Sequence, residues 1–388
     1  MFNIRELLSA RGGSLYKSLE SHGTGAFAHH LASARLQEVS NFGSNPSNLR
    51  MMSYVPQSIH EKPALVVVLH GCTQNAGAYD AGSGWSTLAE RYGFAVLFPE
   101  QQRSNNPNGC FNWFLPEHSQ RDGGEPVSIY QMIEKMIAAN GVDRSKVFIT
   151  GLSAGGAMTS IMLACYPEVF AAGAVVAGLP FGAAANVKQA FQAMYQSPPR
   201  PAREWGDLVR QSSSHKGPWP RISIWHGSAD KTVIPSNARE ILKQWTDVHG
   251  LPSAPSTTGM VDGFPRDVWF DATANALVES YTITGMGHGT PLAPGNSEGK
   301  CGVPGPYLLS VGISSSFHIA RFFGIADPSL IKNAAAKDEA IPPQITEQLL
   351  PGQALDETEA TPSEFVIPPS LKVADVINRA LKAAGLMK

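Results

Sequence analysis

The chain has 388 residues, 43% of them hydrophobic, and a formal net charge of −2. That length and composition support a large buried core, with one main domain plus appendages as the expected organisation. The basic residues are scattered, which argues against a nucleic-acid partner, and no apolar run approaches the roughly 18 residues of a membrane span.

Residues 1–48 are rich in Ser, Gly, Ala and Asn, with one weakly amphipathic stretch from Phe27 to Val39. They read as an N-terminal appendage, packed on the body or partly mobile. The opening MFNIRELLSARGGSLYKSLES lacks the continuous apolar core of a signal peptide. The main domain spans 49–325. It begins with an edge strand at Leu49 to Val55 and continues into Ala64 to Leu69, ALVVVL, the unbroken apolar run of a buried parallel strand. That strand delivers HGCTQNA, His70 to Ala76. A loop of small residues here can turn backbone N–H groups toward a developing oxyanion, and Gly71 permits close approach. The alternative is an ordinary turn with His70 a satisfied core histidine.

A helix at Ser86 to Tyr92 and a strand at Phe94 to Phe98 follow. The polar loop from Pro99 to Phe114 then carries Phe111 and Trp113, either of which can face a substrate or anchor the loop. Beyond RDGGEP, Ile129, Met132, Ile133, Met136 and Ile137 recur at helical spacing and mark a core-facing stripe. Val147 to Met158 reads VFITGLSAGGAM, a strand, a tight turn and a helix. GLSAG fits G-x-S-x-G, where small neighbours let the backbone fold sharply enough to lift the serine hydroxyl above a sheet. Ser153 is therefore the candidate nucleophile, and the amides of Cys72 and Ala154 are the candidate oxyanion donors.

Phe170 to Gly178 is a further buried strand. Residues 179–219, with Pro198, Pro199, Pro201, Trp205 and Trp219, read as a less regular excursion over the strand ends. A strand at Ile222 to His226 runs into GSADKTV, which places Asp230 at a strand's carboxyl end, followed by a helix from Pro235 to His249. Asp230 there can orient an imidazole; its other reading is a turn residue capping that helix. A last strand, Leu277 to Ile283, precedes GMGHGTP and His288, the candidate general base. The chain order Ser153, Asp230, His288 is that of an α/β-hydrolase triad. The expected fold is therefore α/β, a mostly parallel central sheet with helices on both faces.

HGCTQNAGAYDAGSGWSTLAERYGFAVLFPEQQ, CFNWF, RDGGEPVSIYQMI, TGLSAGGAM, AGLPFG and GSADKTVIP together resemble the catalytic domain of the polyhydroxybutyrate depolymerase family of esterases, which includes feruloyl and acetylxylan esterases. The resemblance runs from about Arg50 to Gly324. It implies an α/β-hydrolase that cleaves carboxylic esters without a cofactor, with Ser153, Asp230 and His288 as triad. It also implies that Cys72 supplies an oxyanion amide and pairs with Cys110 in a disulfide, that Trp113 lies near the substrate, and that the protein works outside the cytoplasm, in the periplasm or beyond the cell. Secreted polymer-degrading members usually carry a signal peptide and a substrate-binding module, and neither is seen in this sequence. A cytoplasmic location is the alternative.

The four cysteines, Cys72, Cys110, Cys165 and Cys301, lack the spacing of a zinc site. Cys165 reads as a small core residue. Residues 326–369 read as an acidic, proline-rich linker: Glu339 to Leu371 holds six acidic residues and no basic one. Residues 370–388 read as an amphipathic C-terminal helix. The expected activity is hydrolysis of polyhydroxyalkanoate or its oligomers through an acyl-enzyme. Feruloyl or acetylxylan ester hydrolysis is the second reading, a serine peptidase a third, and a noncatalytic binding protein on the same fold is the alternative of another class.

Overall fold

A computed structural model describes residues 35–327; most of the N-terminal appendage and nearly all of the expected linker and C-terminal helix lie outside the described residues. The strands are β1 (Gln37–Glu38), β2 (Arg50–Tyr54), β3 (Leu65–Leu69), β4 (Ala95–Glu100), β5 (Val147–Leu152), β6 (Ala172–Val176), β7 (Arg221–Gly227), β8 (Thr257–Val261), β9 (Phe264–Phe270), β10 (Ala276–Ile283), β11 (Thr290–Leu292) and β12 (Leu308–Ser310). The helices are α1 (Ala76–Ser83), α2 (Trp85–Tyr92), α3 (Gly124–Asn140), α4 (Ala154–Cys165), α5 (Val187–Tyr195), α6 (Ala202–Gln211), α7 (Ser236–Val248) and α8 (Ser315–Phe323).

Ten strands form one sheet in the order β1-β2-β4-β3-β5-β6-β7-β10-β9-β8. The six from β4 to β10 in that order run parallel, and antiparallel strands close both ends. This is the α/β-hydrolase sheet, and its carboxyl edge carries every loop discussed below.

The apolar runs of the central strands serve two cores, because successive side chains point to opposite faces. Leu65, Val67 and Leu69 of β3 join Ile149, Val175 and Ile224 in a core covered by α3, α4, α6 and α7. Val66 and Val68 join Phe148, Val176 and Trp225 in a second core covered by α1, α2 and α8. All residues of α4 are buried, so this helix is fixed on every side and so is the turn that leads into it.

Four expectations need correction. Leu49 to Val55 is not the sheet edge, because the two-residue β1 pairs outside β2, Gln37 opposite Ser53. Residues 179–219 are more regular than expected and hold α5 and α6; α6 packs beside α7, where Arg210 pairs with Asp247 at 2.5 Å and the Trp205 indole N–H donates to Glu240 at 2.7 Å. Pro201 is the N-cap residue of α6 and interrupts nothing. The stretch between the His70 loop and the helix at Ser86 holds a further helix, α1, not expected from the sequence, which Asn75 caps by accepting from the Ala78 amide at 2.8 Å. Finally, β10 closes the run of parallel strands but is followed by β11 and β12, which pair in a separate small sheet. The β8–β9 hairpin was not foreseen, although its Asp262-Gly263 turn, both at positive φ, is a strong hairpin signal.

Ile149 is fully buried at the centre of the sheet. Ile149→Ala should therefore lower unfolding free energy by about 2–5 kcal/mol, read from the urea midpoint at constant slope.

Candidate active site

Ser153 stands between β5 and α4 with φ 58° and ψ −116°, a backbone conformation that L residues rarely adopt and that costs about 1–3 kcal/mol. The surroundings enforce it. The Ser153 amide donates to Val176 O at 2.9 Å, and Gly155 lies so close to β3 that an added Cβ would fall 2.4 Å from Leu69 O. Only glycine lets the first turn of α4 approach that carbonyl.

His288 reaches this serine from the loop after β10. Its Nε2 lies 2.9 Å from Ser153 Oγ, and its Nδ1 lies 2.7 Å from Asp230 Oδ2. A carboxylate only accepts, so the Nδ1–H donates to Asp230 and the bare Nε2 accepts the serine hydroxyl. Asp230 is buried, and its Oδ1 accepts from the amides of Thr232 at 2.8 Å and Val233 at 3.0 Å. Burial favours the protonated acid, but the neighbouring His226 and the hydrogen bond from His288 outweigh it and hold the carboxyl below its ordinary range. The loops bearing Asp230 and His288 touch backbone to backbone at Gly227, where a Cβ would lie 2.3 Å from Met286 O. The His288 loop is tied to the small sheet through the Thr290 amide, which donates to Tyr307 O at 2.8 Å. The rings of Tyr307 and His288 meet in a T-shaped arrangement, with centroids 6.0 Å apart.

On the other side of the serine, β3 ends in His70. Its Nδ1 lies 2.8 Å from Gly71 O and its Nε2 accepts from the Gln101 amide at 3.1 Å, so it is a buried, fully bonded histidine that joins two loops. The next residue, Cys72, forms a disulfide with Cys110. The amides of Cys72 and Ala154, the first residue of α4, have no hydrogen-bond acceptor among the described residues. They are therefore free to serve an oxyanion. Cys165 and Cys301 are buried thiols, and burial pushes Cys165 up to about 12.

The loop that carries Cys110 and Trp113 is organised by Glu125, at the start of α3. This buried carboxyl accepts from the Asn112 amide at 2.9 Å, Asn112 Nδ2 at 2.8 Å and Gln101 Nε2 at 2.6 Å. Burial raises it to about 7 despite those donors. Trp113 is 7% exposed and packs edge-on against Phe114, 5.6 Å between ring centroids. Its packing makes it an anchor of the loop.

Ser153, His288 and Asp230, expected from the sequence as a triad, are linked in the structure, and Cys72 and Cys110 are bridged. Glu125 and His226 are not foreseen from the sequence: an acidic residue at a helix start could have signalled Glu125, whereas His226 ends a strand and carries no local motif.

A mostly parallel sheet with a serine on the strand–helix elbow and a histidine and a carboxylate on later loops defines an α/β-hydrolase. Residues 49–261 match the family described as "Esterase PHB depolymerase". The chain is 49% identical over 291 residues to a poly(3-hydroxyalkanoate) depolymerase C from Paucimonas lemoignei, covering 75% of this chain and 70% of that protein. It is 36% identical to a feruloyl esterase B from Neurospora crassa, covering 68% and 90%. A solved acetyl xylan esterase from Aspergillus awamori superposes with a TM-score of 0.64 at 31% identity, covering 75% of this chain and 99% of that one. The chain belongs to the PHB depolymerase family of esterases and is a carboxylic ester hydrolase.

The disulfide has a direct readout. Alkylation of the denatured protein should add two groups without reduction and four after it, by intact mass, with Cys165 and Cys301 the pair modified in the first case.

Proposed function

We propose that the protein is a serine esterase that cleaves polyhydroxyalkanoate or its oligomers through an acyl-enzyme on Ser153. The observation that carries the mechanism is the continuous chain from Ser153 Oγ through His288 to Asp230, at 2.9 and 2.7 Å. Ser153 attacks the ester carbonyl as its proton passes to His288 Nε2, and the carbonyl electrons move onto oxygen, held by the amides of Cys72 and Ala154. Asp230 stabilises the imidazolium without taking its proton. The tetrahedral intermediate collapses, the alkoxide leaves with the proton from His288, and the acyl group remains on Ser153. Water then attacks, gives a proton to His288, and the acid departs as that proton returns to Ser153.

The substrate assignment is supported by the 49% identity to a polyhydroxyalkanoate depolymerase, against 36% to a feruloyl esterase. The acetyl xylan esterase likeness over 99% of the solved chain favours a second reading, acetyl or feruloyl esters of plant polysaccharide. Trp113, anchored in its loop with 7% of its surface exposed, is proposed to present that exposed part to the substrate, as the family resemblance implies. The Cys72–Cys110 disulfide favours work in an oxidising compartment outside the cytoplasm.

Release of 3-hydroxybutyrate from amorphous polyhydroxybutyrate, with a short-chain aryl ester assayed beside it, tests both parts. Wild type should act on both, and Ser153→Ala should lose about 10⁴-fold or more in kcat on each. Cleavage of the aryl ester alone moves the substrate to oligomers or polysaccharide esters, and a near-wild-type Ser153→Ala contradicts the mechanism.

A further inference from the structure

The carboxylate of Asp230 faces two imidazoles. Oδ2 takes the Nδ1–H of His288 at 2.7 Å, and on its other side His226, at the end of β7, brings Nε2 to 3.3 Å from the same oxygen. That Nε2 also lies 2.7 Å from Val233 O. Both neighbours are acceptors, so Nε2 carries a proton. His226 is 4% exposed, and its Nδ1 is buried with no hydrogen-bond partner among the described residues. A proton on Nδ1 would leave a buried donor unpaired, so the ring has one N–H to give.

We propose that His226 is a positioning residue for the ester hydrolysis: it divides its single N–H between Val233 O and Asp230 Oδ2, fixing the carboxylate and drawing off part of the charge that His288 would otherwise feel. The proposal rests on the reading of Ser153, His288 and Asp230 as the working triad. A purely structural histidine would need only the Val233 carbonyl. The second oxygen within reach of Nε2, 3.3 Å away, is the one that His288 uses, and this links the ring to the chemistry. The Asp230 carboxylate meets His226 from β7, His288 from the loop after β10, and the amides of Thr232 and Val233. His288 meets Ser153 and the ring of Tyr307 besides. With the His226 N–H removed, the full carboxylate charge acts on His288 and favours its protonated form. The acid limb of the rate profile must then move to higher pH, because the base is lost to protonation sooner.

His226→Phe and His226→Leu remove the N–H, and His226→Gln returns one. For the first two, kcat should fall about 10-fold with KM within about 2-fold, and the acid limb of kcat/KM should move up by about half a pH unit or more. His226→Gln should recover most of both. In wild type labelled with ¹⁵N-histidine, His226 should keep its proton on Nε2, and that N–H resonance should move as His288 titrates. This readout needs no variant to fold. An acid limb that stays in place or moves to lower pH in folded variants, or a His226 resonance indifferent to the His288 titration, overturns the proposal. Ser153→Ala separates the two readings: if it abolishes turnover while the His226 variants leave the limb in place, the triad stands and only the role of His226 fails.

Discussion

Ser153 holds a left-handed backbone angle that a serine avoids by about 1–3 kcal/mol, and the rest of the fold keeps it there. The strand before it is paired on both sides, and the helix after it is buried along its whole length. At Gly155 that helix meets the β3 backbone more closely than any side chain would allow. Relaxing the turn would require moving β3, β5 or α4, each locked into the larger of the two cores. The strain thus persists because packing over-determines the position, and its product is a hydroxyl raised above the carboxyl edge of the sheet.

Around that hydroxyl, the other groups are supplied by loops that would be mobile on their own and are each tied down by a separate device. The loop of His70 and Cys72 is joined to the Trp113 loop by the disulfide and, just beyond the end of β4, through the Gln101 amide. The Trp113 loop is held from beneath by the buried carboxylate of Glu125. The Asp230 loop is closed by two amides onto Oδ1 and by His226. These restraints fix donors and acceptors before any substrate arrives, which is the condition for electrostatic stabilisation of a transition state.

How much of this was legible in the sequence depends on whether the controlling signal is local. The buried strands, the elbow and the order of Ser153, Asp230 and His288 are written in contiguous residues, so apolar runs and glycine spacing were enough. Elements without a local signature were lost. The helix α1, AGAYDAGS, has two glycines and a buried Asp80 whose carboxylate accepts from the Ser86 amide at 2.8 Å, so propensity concealed it. The α5–α6 segment was masked by prolines that flank helices as readily as they break them. His226 and Glu125 matter through partners that lie four to twenty-four residues away in sequence, and no periodicity reveals such pairs.

The most direct measurement of the central claim is reaction of the native protein with a fluorophosphonate, followed by intact mass and peptide mapping. The geometry predicts one adduct, on Ser153, that appears in step with the loss of esterase activity and slows sharply in His288→Ala. Full inactivation with the adduct on another residue, or persistent esterase activity with Ser153 fully modified, would contradict it.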